Sequence, residues 1–215
     1  MFRLKSTCLV PEMIGVIDYG SGNFTSVCNA ISAIGEAPFT IKRPEYLGSV
    51  DHVILPGVGA YHDCVSALKE RGLFSPLQDI TKGDSQYFLG ICVGHQVLSQ
   101  IGTEFKLGDG LGAVKGKTVE VEVSGRERLP HIGWNNVSFD RSSPLFKDIA
   151  LEACFYFVHS FHLEADDQRS IIATTHHSKP ITAAINVGKT YGVQFHPEKS
   201  QQNGLRLLKN FCELA

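Results

Sequence analysis

The sequence predicts an α/β fold in which a mostly parallel central sheet is flanked by helices and the C-terminal half is rich in β-structure. Two patterns carry that expectation. In the first half, short apolar runs ending in glycine-containing turns alternate with apolar residues at helical spacing, as βα units do. After Gly112 the helical spacing stops, and short strands separated by polar turns follow one another. A chain of 215 residues is long enough for one such domain with a full core. Regular patterning begins at Met13, so residues 1–12 are read as an N-terminal extension and 13–215 as a single domain.

Residues 13–18 (MIGVID) predict the first strand, and Tyr19-Gly20-Ser21-Gly22-Asn23 the loop leaving it. Val27, Ala30, Ile31 and Ile34 then share a helix face that Gly35 ends. The Gly-Ser-Gly loop lacks G-x-G-x-x-G and no Lys-Ser/Thr pair follows, so a tight turn is preferred over a phosphate cradle. Residues 37–41 and 53–55 predict the second and third strands, the latter running into Pro56-Gly57-Val58-Gly59-Ala60. At the carboxyl edge of an open α/β sheet such a turn is either an ordinary loop or a source of backbone N–H donors. Residues 65–73 read as helix. Tyr87-Phe88-Leu89-Gly90-Ile91 has the bulk of a buried parallel strand, and Val97, Leu98 and Ile101 fit one helix face stopped by Gly102. Residues 117–123 (KTVEVEV) alternate as a half-exposed strand does. Residues 154–158, 170–174, 181–185 and 191–195 predict further strands, and Leu205, Leu207, Leu208 and Phe211 a closing helix.

The chain is organised around Cys92, which the strand and helix patterns place at a strand-to-helix turn between Gly90 and Gly94. Gly90-Ile91-Cys92-Val93-Gly94 has the form of a G-x-S-x-G nucleophile elbow with sulfur in place of oxygen. A helix N-terminus beneath it would favour the reactive thiolate. A free cysteine is equally at home as a small buried hydrophobe, so a distant base must decide. Gln194-Phe195-His196-Pro197-Glu198 offers one. At a strand end, His196 could take the thiol proton and later donate it to a leaving amine, with Glu198 orienting the ring. A surface His-Pro turn is the plainer meaning of the same residues. If Cys92 needs an oxyanion hole, Val93 can supply one N–H, and Val58 is the candidate for the second. His176-His177 reads as solvated loop, and His159 as a packed histidine beside Ser160.

Composition narrows the function classes. A net charge of −2 without a basic block gives no electrostatic case for nucleic acid. No apolar stretch approaches the roughly 20 residues that span a bilayer. Six scattered cysteines, without C-x-x-C or a His/Cys cluster of zinc spacing, fit a reduced cytoplasmic setting and no metal.

GICVGHQ, VQFHPEKS, LPGVGAY, IDYGSGN, PHIGWN and YFVHSFH are spread over nearly the whole chain from Met13. Together they resemble the glutaminase subunits of imidazole glycerol phosphate synthase, which are class I, triad-type glutamine amidotransferases. The resemblance implies a flavodoxin-like sheet, no cofactor, and a Cys92-His196-Glu198 triad that hydrolyses glutamine to glutamate and ammonia through a γ-glutamyl thioester. It also implies that Gln96, Glu104 and the Ser160-Phe161 backbone hold the amino-acid end of glutamine. The Gly57-Val58-Gly59 turn would form the switchable part of the oxyanion hole. The implied partner is a (β/α)8 cyclase subunit in a heterodimer, which uses the ammonia to make imidazole glycerol phosphate and an aminoimidazole carboxamide ribotide in histidine biosynthesis. Tyr156, Lys199 and the PHIGWN loop with Trp134 and Asn135 match positions near that interface.

One departure stands out. His95 occupies the place, after the second elbow glycine, where the family usually has methionine, and an ionisable ring there would bear on the nucleophile's pKa or on the fit to the barrel. The alternatives are a paralogous glutaminase subunit feeding a sugar amidotransferase in surface-polysaccharide synthesis, a free-standing cysteine amidase, and a non-catalytic binding subunit.

Overall fold

A computed structural model describes residues 13–125 and 127–215; the expected extension, residues 1–12, lies outside the described residues. Five α-helices and fourteen strands follow one another among them. The first half runs β1 (Ile14–Ile17), α1 (Phe24–Ala33), β2 (Pro38–Ile41), β3 (His52–Leu55), α2 (Tyr61–Glu70), α3 (Phe74–Lys82), β4 (Tyr87–Ile91), α4 (Val93–Gln96), β5 (Ser99–Gly102) and β6 (Gly108–Asp109). The second half runs β7 (Val114–Glu120), β8 (His131–Asn136), β9 (Ser138–Phe139), β10 (Cys154–His159), β11 (Phe161–Ala165), β12 (Ile171–His177), β13 (Lys179–Val187), β14 (Thr190–Val193) and α5 (Gln201–Cys212).

The central sheet has the order β2-β1-β3-β4-β14-β13-β12-β9. Its first five strands are parallel and the rest antiparallel, so the change in pattern after Gly112 becomes an antiparallel extension of a parallel sheet. Strands β1, β3 and β14 are buried along their whole length, as strands covered on both faces must be. Two smaller sheets, β10-β8 and β11-β7-β5-β6, lie outside it. One apolar core runs from Ile14 to Leu214, with Phe155 stacked on Phe195 at 4.1 Å.

Several expectations need correction. The helix after the elbow is one turn, Val93–Gln96, and residues 99–102 form strand β5. The amides of Leu111, Val114 and Gly112 bond to the carbonyls of Val97, Leu98 and Ser99, so the chain enters a ladder that helical periodicity could not reveal. The strand expected at 117–123 is displaced to Val114–Glu120 because its register is set by pairing with β5 and β11. Helix α2 starts at Tyr61 rather than residue 65, and α3 was not anticipated, although Phe74, Leu77 and Ile80 line its buried face. The PHIGWN segment is strand rather than loop, paired with β10. His176 and His177 end strand β12, and the His177 ring stacks on His131 at 4.3 Å, so the pair is not a solvated loop.

Candidate active site

Four connections at the carboxyl ends of neighbouring parallel strands converge. They follow β1 (with Asn23), β3 (residues 56–60), β4 (Cys92) and β14 (residues 194–198). This edge is where an open α/β sheet offers a crevice.

Cys92 caps α4 with φ +54° and ψ −107°, a left-handed conformation that costs a side-chain-bearing residue about 1–3 kcal/mol and clusters at functional sites. The glycines around it are sterically required. A Cβ on Gly90 would meet the backbone of Gly94, and one on Gly94 would meet the Leu55 carbonyl. A Cβ on Gly57 would sit 2.6 Å from the Gly94 nitrogen, so the Pro56–Ala60 turn packs directly on the elbow. Val93 begins α4, and its N–H therefore has no intrahelical acceptor. With one turn only, α4 contributes less dipole than the longer helix expected from sequence.

His196 follows β14, and its Nδ1 meets Glu198 Oε1 at 2.7 Å, both side chains being fully buried. Burial disfavours a charged ring, but the sulfur of Cys92 and then the Glu198 carboxylate outweigh it, and the pKa of His196 is pushed up to about 10. With Nδ1 committed to Glu198, Nε2 is the nitrogen left for the thiol. Burial pushes Glu198 up, while the hydrogen bonds and charge of His196 and the amide of Asn23 bring it below the ordinary carboxylate range. The histidine and carboxylate thus belong to the site, not to a surface turn.

A cavity of about 410 Å³ opens beside these groups, lined by Cys92, Val93, His196, Gln96, Glu104 and the Ser160-Phe161 segment among others. Val58 and Gly59 line it too, whereas Gly57 is spent on packing. Gln96 Nε2 donates to the Phe161 carbonyl at 2.7 Å, and Glu104 Oε2 accepts from the Tyr61 amide at 2.7 Å. At the rim, Trp134 meets Tyr156 edge-on at 6.1 Å, and Lys199 Nζ lies 5.7 Å from the centre of the Tyr156 ring. Trp134 is 48% and Ile132 60% exposed. Asn135 points to the other face of β8, with its amide held by His131 and the His176 carbonyl.

His95 does not face the cavity. Its ring is fully buried over Gly192, both nitrogens lack a hydrogen-bond partner among the described residues, and burial, with the charge of His162, lowers its pKa to about 3. It is therefore neutral near pH 7 and is not among the groups that shift His196.

Two residues escaped the sequence reading. Asn23 Nδ2 donates to Glu198 Oε1 at 3.0 Å, and its Oδ1 accepts from the Ser21 hydroxyl at 2.6 Å, so the Gly-Ser-Gly loop serves to orient the carboxylate. An Asn closing the glycine loop after the first strand was its one sign in the sequence. Gln194 Nε2 lies 3.8 Å from Cys92 Sγ, and Gln194 Oε1 accepts from Gln96 Nε2 at 3.2 Å, so Gln96 holds the amide that contacts the sulfur. Among the described residues there is no group of three or more His, Cys, Asp or Glu placed to hold a metal ion, and no helix is long and apolar enough to cross a membrane.

The model of the class-I glutamine amidotransferase family matches residues 15–214. The chain is 38% identical over 203 residues to the imidazole glycerol phosphate synthase subunit HisH 2 of Methanococcus maripaludis, covering 94% of this chain and 100% of that one. It is 39% identical to the HisH subunit of Sulfurimonas denitrificans, covering 94% and 98%. Among solved structures, a glutamine amidotransferase superposes with a TM-score of 0.73 at 17% identity, covering 94% of this chain and 97% of that one. The PurLQS structure from Thermotoga maritima also gives 0.73, at 18% identity and the same coverage. At such identities the structures speak for the fold alone.

Proposed function

The chain belongs to the class-I glutamine amidotransferases, within them to the HisH family, and from that premise we propose that it is the glutaminase subunit of an imidazole glycerol phosphate synthase. The observation that carries the chemistry is the buried alignment of a strained Cys92 with His196 and Glu198 at the mouth of a cavity of about 410 Å³, within the size range of small-molecule sites.

Cys92 Sγ passes its proton to His196 Nε2 and attacks the carboxamide carbon of glutamine, and the carbonyl π electrons move onto oxygen. The Val93 N–H and the Val58 N–H of the turn that lines the cavity hold that oxyanion. Collapse of the intermediate breaks the C–N bond, and His196 gives its proton to the leaving nitrogen, so ammonia departs and a γ-glutamyl thioester remains. Water, deprotonated by His196, then attacks the thioester, releasing glutamate and returning the thiol. Glu198, fixed by Asn23, keeps the imidazole oriented and stabilises its cation. Gln96, Glu104 and the Ser160-Phe161 backbone hold the amino-acid end of the substrate. The exposed Ile132-Trp134 face with Tyr156 and Lys199 receives a (β/α)8 cyclase subunit, through which ammonia reaches its acceptor ribonucleotide in the cytoplasm.

The test is glutamate release by the chain alone, with the cyclase barrel of the same source, and with the barrel plus its ribonucleotide ligand. A large rise only in the last mixture is expected. Strong activity alone means an independent amidase, and a rise only with a polysaccharide-pathway barrel moves the assignment to sugar amidation.

A further inference from the structure

Running back from the cavity wall, three side chains form a hydrogen-bonded line whose proton positions can be deduced. The Asn135 amide has a single allowed orientation, because Oδ1 accepts from the Asn136 amide at 2.9 Å and Nδ2 donates to the His176 carbonyl at 2.9 Å. Nδ2 is also 3.1 Å from His131 Nε2, which must therefore be an acceptor. A neutral His131 then carries its proton on Nδ1, which lies 3.0 Å from His159 Nε2 and donates to it. His159 in turn carries its proton on Nδ1 and donates to the Phe161 carbonyl at 2.9 Å. Starting instead from the carbonyl, which can only accept, gives the same assignment in reverse. No other arrangement of neutral rings satisfies every contact.

The line ends on a working part of the site. The Phe161 carbonyl also accepts from Gln96 Nε2, so both its lone pairs are occupied, and the Val121 amide holds the Ser160 carbonyl at 2.8 Å. Ser160, Phe161 and His159 all line the cavity. We propose that Asn135 and His131 are positioning residues for substrate binding, acting through His159 to hold the Ser160-Phe161 segment in the orientation that receives the amino-acid end of glutamine. This rests on the glutaminase reading above. Burial keeps both rings neutral, with His131 lowered to about 4 and His159 to about 3, as the assignment requires. The titratable neighbours are His177 stacked on His131, Glu127 beside His177, and His162 near His159.

Two measurements on the full chain test this. In the histidine-¹⁵N-labelled protein, both rings should be in the Nδ1–H form, the less common tautomer of free imidazole, and an Nε2–H form on either ring overturns the line. On a Cys92→Ala background in complex with the cyclase barrel, His131→Phe keeps the stack on Phe157 but removes the donor. It should weaken glutamine binding about five- to tenfold, the effect of one lost buried hydrogen bond. His131→Asn, which offers an amide N–H near the Nδ1 position, should recover most of it. With Cys92 intact, His131→Phe should raise KM by a similar factor and change kcat less than about twofold. Unchanged affinity in a folded His131→Phe variant overturns the positioning role while leaving the glutaminase intact. If the parent complex binds no glutamine, the proposed function falls and the positioning role falls with it.

Discussion

His95→Met isolates the effect of one buried ring. Among the described residues neither nitrogen of His95, both buried, has a hydrogen-bond partner, which costs about 1–3 kcal/mol relative to an apolar group. Methionine is unbranched and of similar reach, and repacking around such a swap costs under about 1.5 kcal/mol. Near neutral pH the variant should therefore be equal to the parent or more stable by up to about 2 kcal/mol. The sharper expectation concerns acid. The ring's pKa is about 3 in the fold against 6.5 in the unfolded chain, so the unfolded state binds more protons between those values. The stability this contributes is present in full above pH 6.5 and is lost as pH falls through 6.5 toward about 3. At about pH 4.5 the unfolded ring is almost fully protonated and the folded one almost neutral, a linkage of about 2 pKa units or roughly 2.7 kcal/mol.

Urea melts of parent and variant at about pH 7.5 and about pH 4.5 measure it, because other titrating groups cancel in the difference between the two proteins. The gap should widen in favour of the variant by about 2–3 kcal/mol at the lower pH. A gap that stays the same within about 0.5 kcal/mol refutes the picture of a neutral ring held in a dry site. Glutamine turnover near neutral pH should scarcely change, since the ring neither lines the cavity nor carries charge there.

Cys92→Ala should abolish glutamate release and leave partner binding within about twofold, read by isothermal titration with the barrel; turnover near the parent's would remove Cys92 from the mechanism. Asn23→Ala removes the amide hydrogen bond from the Glu198 carboxylate and should lower kcat by about tenfold or more with a smaller change in KM. If kcat is unaffected in a folded variant, the carboxylate does not depend on that amide. Lys199→Ala should reduce activation by the barrel without shifting the denaturation midpoint, since the side chain is exposed at the rim; a lower midpoint with intact activation would contradict that.

Much of the architecture was legible because it is written in local periodicity. The strands at Ile14–Ile17, His52–Leu55 and Tyr87–Ile91 and the helix at Phe24–Ala33 are short apolar or amphipathic runs bounded by glycine turns. The misread stretch after Gln96 shows the limit of that signal. Val97, Leu98 and Ile101 suit a helix face as well as a strand, and partners 8 to 16 residues away drew them into β5 and its flanks. The PHIGWN strand was hidden for a like reason, since its pairing partner β10 lies beyond a connection of seventeen residues.

The setting of Cys92 was legible in the chain, because an elbow is a local device: Gly90 and Gly94 flank Cys92 within five residues, and only glycine fits there. The sequence also named His196 and Glu198, two residues apart in the chain and bonded to each other. Only the tertiary structure decided which further groups complete the site. Asn23 meets Glu198 across 175 residues, Gln194 meets Cys92 across 102, and His131 meets His159 across 28. Likewise, whether His95 would face the substrate or the core depended on where β14 passed. Such contacts arise when separate strands bring their carboxyl ends to one edge of the sheet, and periodicity along the chain carries no record of them.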